Sequence, residues 1–319
     1  MTIKPARING LIDFTSGWLV ANIGHDNRAV MRAVKKARGW AVMQNIENPI
    51  RQQAIETLHS ILPHYLNQVA FYNSGSEAID AAIRIAGPPI VTHERAFHGS
   101  TGNTQNLKYG PHLQHLKYLD TPRNTFLLET FLGPWCEWHS SKLIKEIAEN
   151  RRKGKAIVMF DEMQSGFGRT GKWFGFEHYN IWPDIIVGGK AAAGGFPFAF
   201  VAGRRKVMHG DKWESTFSGN ALSCAAFIET VNQIRKHRLI ERVCENEHLI
   251  SEAFPEAQGK GYAYAFPCKR AKEVVKIARE AGLLLLDTGK DTIKIAPPLC
   301  ISRRDLCLGL NMLKSVADG

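Results

Sequence analysis

No CxxC pair occurs among the six cysteines, at 136, 224, 244, 268, 300 and 307, which argues against a zinc ribbon and against a disulfide framework. Scattered reduced thiols of this kind fit a cytoplasmic protein, and no metal site is expected. Long apolar runs are missing too. The most apolar glycine-rich stretch, residues 191–203, is too short and too broken to span a bilayer, and the opening MTIKPARING lacks the apolar region of a secretion signal. There is no internal repeat, low-complexity tract, basic tail or interleaved aromatic pattern of an RNA-binding sheet, so neither nucleic acid nor a membrane is expected as partner. Acidic residues are the scarcer charge, 30 against 41 Lys and Arg, a formal net charge of +11. That excess is spread along the chain, which suits a solvated surface that steers small acidic ligands rather than a nucleic-acid groove.

What remains is ordinary globular composition over 319 residues, enough for two domains. Short apolar runs at Val69–Tyr72, Ile90–Thr92, Thr125–Leu128, Ala156–Phe160, Ile185–Val187 and Phe198–Ala202 read as buried strands. Helical stretches at Glu77–Ala86, Ser141–Arg152 and Ala221–Ile234 lie among them. The alternation predicts an α/β fold, a mostly parallel sheet with helices on both faces. Beyond about Lys236 the pattern changes to helices near 238–253, 268–281 and 303–316 around short strands near 261–266, 283–286 and 292–295, a smaller α+β domain. The predicted division is an N-terminal segment 1–45 packing with the small domain, a large domain 46–235 and a small C-terminal domain 236–319. Asn27–Gly39 reads as an amphipathic helix of the N-terminal segment.

The chemistry sits at strand ends. The strand from Ala156 closes on Asp161-Glu162-Met163-Gln164, and a carboxylate at the end of a parallel strand points into the crevice where α/β folds bind ligands. The next strand closes on Gly188-Gly189-Lys190, where glycines admit a ligand and burial would turn the lysine into a nucleophile. Ser74-Gly75-Ser76 opens a helix whose free N–H groups and dipole suit a phosphate, although a plain helix cap is the simpler use of Ser74. Aspartate, lysine and anion cradle together describe a phosphate-bearing aldehyde cofactor held as an imine. Gly166 to Lys172 fits GxxxxGK, but Trp173 stands where a nucleotide loop needs Ser or Thr, so that reading fails.

Five blocks occur in a family's order: Phe71 to Ala78, Ala96-Phe97-His98-Gly99, Asp161 to Gly171, Pro183 to Ala191, and Ser215 to Asn220. On these the chain resembles the class III aminotransferases, pyridoxal-phosphate enzymes of fold type I. The resemblance implies a ping-pong aminotransferase working through a Lys190 Schiff base, with Lys190 and Asp161 catalytic. It implies that Ser74, Gly75 and Ser76 hold the phosphate and Phe97 stacks on the ring. Met163 would pack on the opposite ring face, with core packing as the alternative. Gln164 would meet the ring's phenolic oxygen, and His98 lies in the same motif, either at the cofactor or supporting its own turn. It also implies that Thr216 reaches the partner's cofactor in a homodimer with shared sites. Trp18, Glu129 and Lys294 fall at substrate-facing positions. Lys294 stands where the family often has Arg, and it reads as a weaker carboxylate site, a partner of Glu129, or a surface strand lysine. The chain is shorter than typical members ahead of Asn9-Gly10 and between Gly99 and Glu129, which predicts a more open cleft. Another reaction on the same scaffold (aminomutase, racemase or decarboxylase) and a non-catalytic binding relative are the alternatives.

Overall fold

The structure, a computed structural model, describes residues 6–37, 48–87, 89–107, 123–208 and 215–318. Part of the N-terminal segment predicted at 1–45, including the end of its helix at Arg38 and Gly39, lies outside the described residues.

A six-stranded sheet organises the larger part. Its order is Gln68–Tyr72, Ala199–Gly203, Ile185–Gly188, Ala156–Asp161, Asn124–Glu129, Ile90–Val91. All its strands run parallel except Ala199–Gly203, which is antiparallel to both neighbours. Alternate side chains go to opposite faces. Phe126, Leu128, Val158, Phe160, Ile186 and Phe200 join the large core on one face, whereas Leu127, Ile157, Met159, Val187, Ala199 and Val201 pack on the other against the helix Gly75–Ala86. Being buried on both sides, these strands read as continuous apolar runs, which is why they were legible.

The helix Ala221–Lys236 is capped by Asn220, whose side chain accepts from Ser223 N at 2.9 Å, and it packs against Arg28–Ala37 and Pro49–His59. The helix Pro49–His59 was not predicted. Its signal was present in Asn48-Pro49: Asn48 accepts from Ile50 N at 2.9 Å, and proline suits the first helical turn. The C-terminal part holds an antiparallel sheet ordered Gln258–Lys260, Ala263–Pro267, Thr292–Ile295, Leu286–Asp287. The helix expected over 238–253 is two, Leu239–Asn246 and His248–Ala253, which meet at Glu247. Strand Leu11–Asp13 pairs in parallel with Leu283–Leu284, so the beginning of the chain is bonded into the end of it.

Two local features position the site. A hairpin of Phe131–Leu132 with Glu137–Trp138 covers one face of the small sheet, where Phe131 and Cys136 pack on Ala263 and Ala265. Residues Ser16, Gly17, Trp18 and Leu19 all have positive φ, between 47° and 63°, a turn of left-handed helix. Each non-glycine residue there costs about 1–2 kcal/mol, so something must hold the turn. Asp13 Oδ1 accepts from Thr15 N at 2.7 Å, Thr15 Oγ1 at 2.6 Å and Ser16 N at 3.1 Å. Ser16 Oγ donates to Ala296 O and accepts from Arg169 Nη2.

Candidate active site

The ends of four sheet strands and the following turns enclose a cavity of about 200 Å³, lined by Ser74–Ser76, Phe97–Gly99, Glu129, Asp161, Met163, Gln164 and Lys190. A second cavity of about 410 Å³ adjoins it and shares Phe97, Gln164 and Lys190. Trp18, Leu19, Gly133, Pro134, Thr288 and Lys294 complete it.

Asp161 ends its strand and is 4% exposed. Its Oδ1 accepts from Met163 N at 3.0 Å, and its Oδ2 lies 2.9 Å from His98 Nδ1. A carboxylate only accepts, so Nδ1 carries the hydrogen; Nε2 lies 2.7 Å from the buried Thr92 hydroxyl. His98 is therefore an orienting group behind Asp161 as well as part of the wall. Glu162, one residue on, points away. It is buried and accepts from Thr130 Oγ1, Ser165 Oγ, Gly175 N and Phe176 N at 2.6–2.8 Å, which ties down the turn carrying Met163 and Gln164. Burial raises the Glu162 carboxyl, opposed by those hydrogen bonds. Sequence reasoning missed Glu162 and Thr92, although the adjacent acids Asp161-Glu162 at a strand end were a visible signal that one of them turns inward.

Lys190 begins a short helical turn with φ +33°, an uncommon backbone for a lysine and one associated with functional sites. Burial pulls its ammonium below the usual lysine range, and the charges of Asp161 and Glu129 act in the opposite sense. Ser74 caps the helix Gly75–Ala86 by accepting from Glu77 N at 3.3 Å. The cap reading of Ser74 is thus realised, and the first turn still leaves the Gly75 and Ser76 N–H groups without intrahelical partners. Ser76 Oγ accepts from Ser100 N at 3.1 Å, so the 99–100 turn packs on the same helix start.

The first cavity sets a carboxylate, a lysine and a helix N-terminus around one space, a donor set that fits a phosphate-bearing aldehyde. A Cβ on Gly75 would stand 2.7 Å from Met163 Sδ and one on Gly189 2.8 Å from it, so Met163 lies in a slot that only glycines leave open. Met163 belongs to the sheet's core on the helix side, the packing expected as its alternative role, and it also lines the first cavity.

Glu129 lines the first cavity rather than the second. Its Oε2 accepts from Phe97 N at 3.1 Å and its Oε1 from Gln164 Nε2 at 3.2 Å. Burial pushes its carboxyl up to about 7. Lys294 is no surface lysine: it is 2% exposed, because the 131–138 hairpin covers its face of the sheet. Its Nζ donates to Gly133 O at 2.5 Å and Gln164 Oε1 at 2.7 Å. Among the described residues no ion pair joins Lys294 to Glu129; the Gln164 amide stands between them. Burial lowers the Lys294 ammonium as well.

Trp18 is 59% exposed at the wall of the second cavity. Thr216 is exposed and lines neither cavity, so the chain alone does not bring it to the other site residues. Its segment is anchored nearby, with Asn73 Nδ2 donating to Ser215 Oγ at 2.7 Å. Among the described residues no cluster of His, Cys, Asp or Glu could hold a metal ion.

The family described as Aminotransferase class-III matches residues 5–108 and 135–317. A LysW-aminoadipate semialdehyde/glutamate semialdehyde transaminase of Sulfolobus acidocaldarius is 27% identical, over 95% of this chain and 89% of the relative. An acetylornithine aminotransferase of Bacillus subtilis is 28% identical, over 95% and 89%. Among solved structures, a phospholyase from Arthrobacter superposes with a TM-score of 0.87 at 20% identity, over 97% of this chain and 90% of that one, a likeness of fold.

Proposed function

The chain belongs to the class III aminotransferases, enzymes of fold type I that move amino groups with pyridoxal phosphate, and from that premise we propose how its own residues divide the work. The observation that carries the reading is the gathering of Asp161, Lys190 and the Ser74–Ser76 turn around one 200 Å³ cavity. The Gly75 and Ser76 N–H groups would hold the phosphate, Phe97 and Met163 would line the space for the ring, and Gln164 Nε2 would donate to its phenolic oxygen. Asp161, kept in place by His98 and Met163 N, would pair with the ring nitrogen. When bound, the cofactor supplies an aldehyde that takes up amino groups and a ring that withdraws electrons from the carbon losing its proton. Lys190 would tether it covalently and, as the free amine, move that proton; burial lowers its ammonium, which leaves more of the amine free to accept near neutrality.

The second cavity receives the rest of the substrate. Trp18, Leu19 and Pro134 give it apolar walls, and Lys294 with Thr288 gives it a polar end. That pattern suits an amine on a short carbon chain with an acceptor at its far end. The relatives named for acetylornithine and for two semialdehydes support this class, with keto acids taking the amine in return. The exposed Thr216 and the 64% exposed Phe217 beside it support a homodimer in which this segment completes the partner's site. The pairing of Leu11–Asp13 with Leu283–Leu284 supports a division into 1–45, 46–235 and 236–319 in which the start of the first packs with the last, whereas its helix Arg28–Ala37 packs on Ala221–Lys236 of the second. Six unpaired cysteines support a cytoplasmic location. Among the described residues no helix is long and apolar enough to cross a membrane.

The test is a visible spectrum of the purified protein with an amine-donor panel against pyruvate and 2-oxoglutarate. Cofactor absorbance in the wild type that is lost or shifted in Lys190→Ala, together with keto-acid-dependent transfer lost in that variant, is expected. A wild type that binds no cofactor overturns the residue assignments.

A further inference from the structure

Gln164 is caged. A Cβ on Gly133 would fall 2.1 Å from its Nε2, so the amide lies directly against that backbone. Lys294 Nζ is 2.7 Å from Oε1, and Glu129 Oε1 is 3.2 Å from Nε2. An ammonium has only donors, so the atom facing Lys294 must be the amide oxygen. Turning the amide over would set its NH₂ against the ammonium and its oxygen against the Glu129 carboxyl. The orientation is therefore set from both ends, and the strong, charged end is Lys294.

We propose that Lys294 is a positioning residue that fixes the orientation of the Gln164 amide, so that Nε2 rather than Oε1 is presented to the cofactor cavity. The Nε2 group has two hydrogens; one goes to Glu129, and the other is available to an oxygen acceptor in the cavity. Lys294 itself lines the second cavity and not the first, so it reaches the cofactor only through Gln164. Gly133 O takes a further hydrogen of the ammonium at 2.5 Å, and the Phe131 ring lies 5.4 Å from it. The lysine is thus held by the hairpin and in turn holds the amide. The role rests on the reading that the first cavity binds pyridoxal phosphate.

The experiment is a double-mutant cycle on cofactor affinity. Wild type, Lys294→Met, Gln164→Met and the double variant are stripped of cofactor and titrated back with pyridoxal phosphate, followed by absorbance. Each single variant is expected to bind about tenfold more weakly, the size of one charge-assisted hydrogen bond. The double variant is expected to be no more than about twofold weaker than Gln164→Met, because Lys294 has nothing left to orient. Lys294→Arg, which keeps a donor, is expected to recover most of the loss. Multiplying losses in the double variant, or wild-type affinity in Lys294→Met, overturns the proposal while leaving the cofactor assignment standing. A wild type without saturable binding overturns both. Where Lys294→Met does not fold, Gln164→Glu decides, since a carboxylate still pairs with Lys294 but offers the cavity no donor. It is expected to lose at least about tenfold in affinity, and wild-type binding there overturns the proposal.

Discussion

The two cavities share Phe97, Gln164 and Lys190 and are otherwise built in opposite ways. The first is made from strand ends of one sheet, and each of its charged walls is held by neighbours: Asp161 by His98 and Met163 N, and Glu129 by Phe97 N and Gln164. The second is assembled from Trp18, from Pro134, and from Thr288 and Lys294 of one strand pair and its turn, three segments distant in the chain. A rigid cavity with fixed charges suits a cofactor that every turnover reuses. A cavity assembled from separate segments around the buried Lys294 suits the part of the reaction that differs from one relative to the next.

The largest expected break in that contrast is at Asp161. Asp161→Ala removes the carboxylate that His98 and Met163 N hold in place. Its kcat/KM for amine transfer is expected to fall about 10³-fold for every donor alike, the scale of losing a preorganised charged group at a reacting centre. Steady-state rates with three or more donors check this. A loss under tenfold, or one confined to a single donor, would place Asp161 outside the shared machinery.

Glu129 carries the next effect, and it is one of stability. Burial holds its carboxyl at about 7 in the folded chain, against 4.5 ordinarily. Between those pH values the folded state keeps a proton that the unfolded state has released. Stability of the cofactor-free protein therefore falls as pH rises from about 4.5 to about 7 and is level above that, a contribution on the order of 3 kcal/mol. Glu129→Gln has no such proton to lose. Urea unfolding at pH 5 and pH 8 is expected to show the wild type losing more stability than Glu129→Gln across that interval. Equal losses would mean that Glu129 is ionised throughout.

The contrast also explains what could be read from residues alone. Asp161, Lys190 and Ser74–Ser76 each close an apolar run, so a strand-end argument finds them without any knowledge of what lies opposite. Lys294 shows the limit. Its alternation with Ile293 and Ile295 assigns it to the outer face of the strand Thr292–Ile295, where a lysine normally meets water. It is buried because a hairpin more than 150 residues earlier in the chain folds over that face, with Thr292 Oγ1 donating to Pro134 O at 3.0 Å. No local pattern encodes such a cover. The split of 238–253 at Glu247 was hidden for a different reason: both helices bury their apolar residues at helical spacing, so periodicity runs through the break.

The smallest expected effect falls on the second cavity, at Trp18. Its backbone is held left-handed at φ 62° between Ser16, Gly17 and Leu19, and the hydrogen bonds that hold the turn come from Asp13, Thr15, Ala296 and Arg169, none from Trp18 itself. Truncating the indole therefore removes a wall and leaves the turn in place. Trp18→Ala is expected to shift the ratio of kcat/KM between a large apolar amine and a small one by roughly tenfold, the worth of a lost apolar contact, while cofactor affinity stays within about twofold of wild type. The same substitution at Phe97, which lines both cavities, is expected to change selectivity and cofactor affinity together. If Trp18→Ala weakens the cofactor as much as it alters the donor ratio, the two cavities are one site, and the division of labour drawn from their construction is wrong.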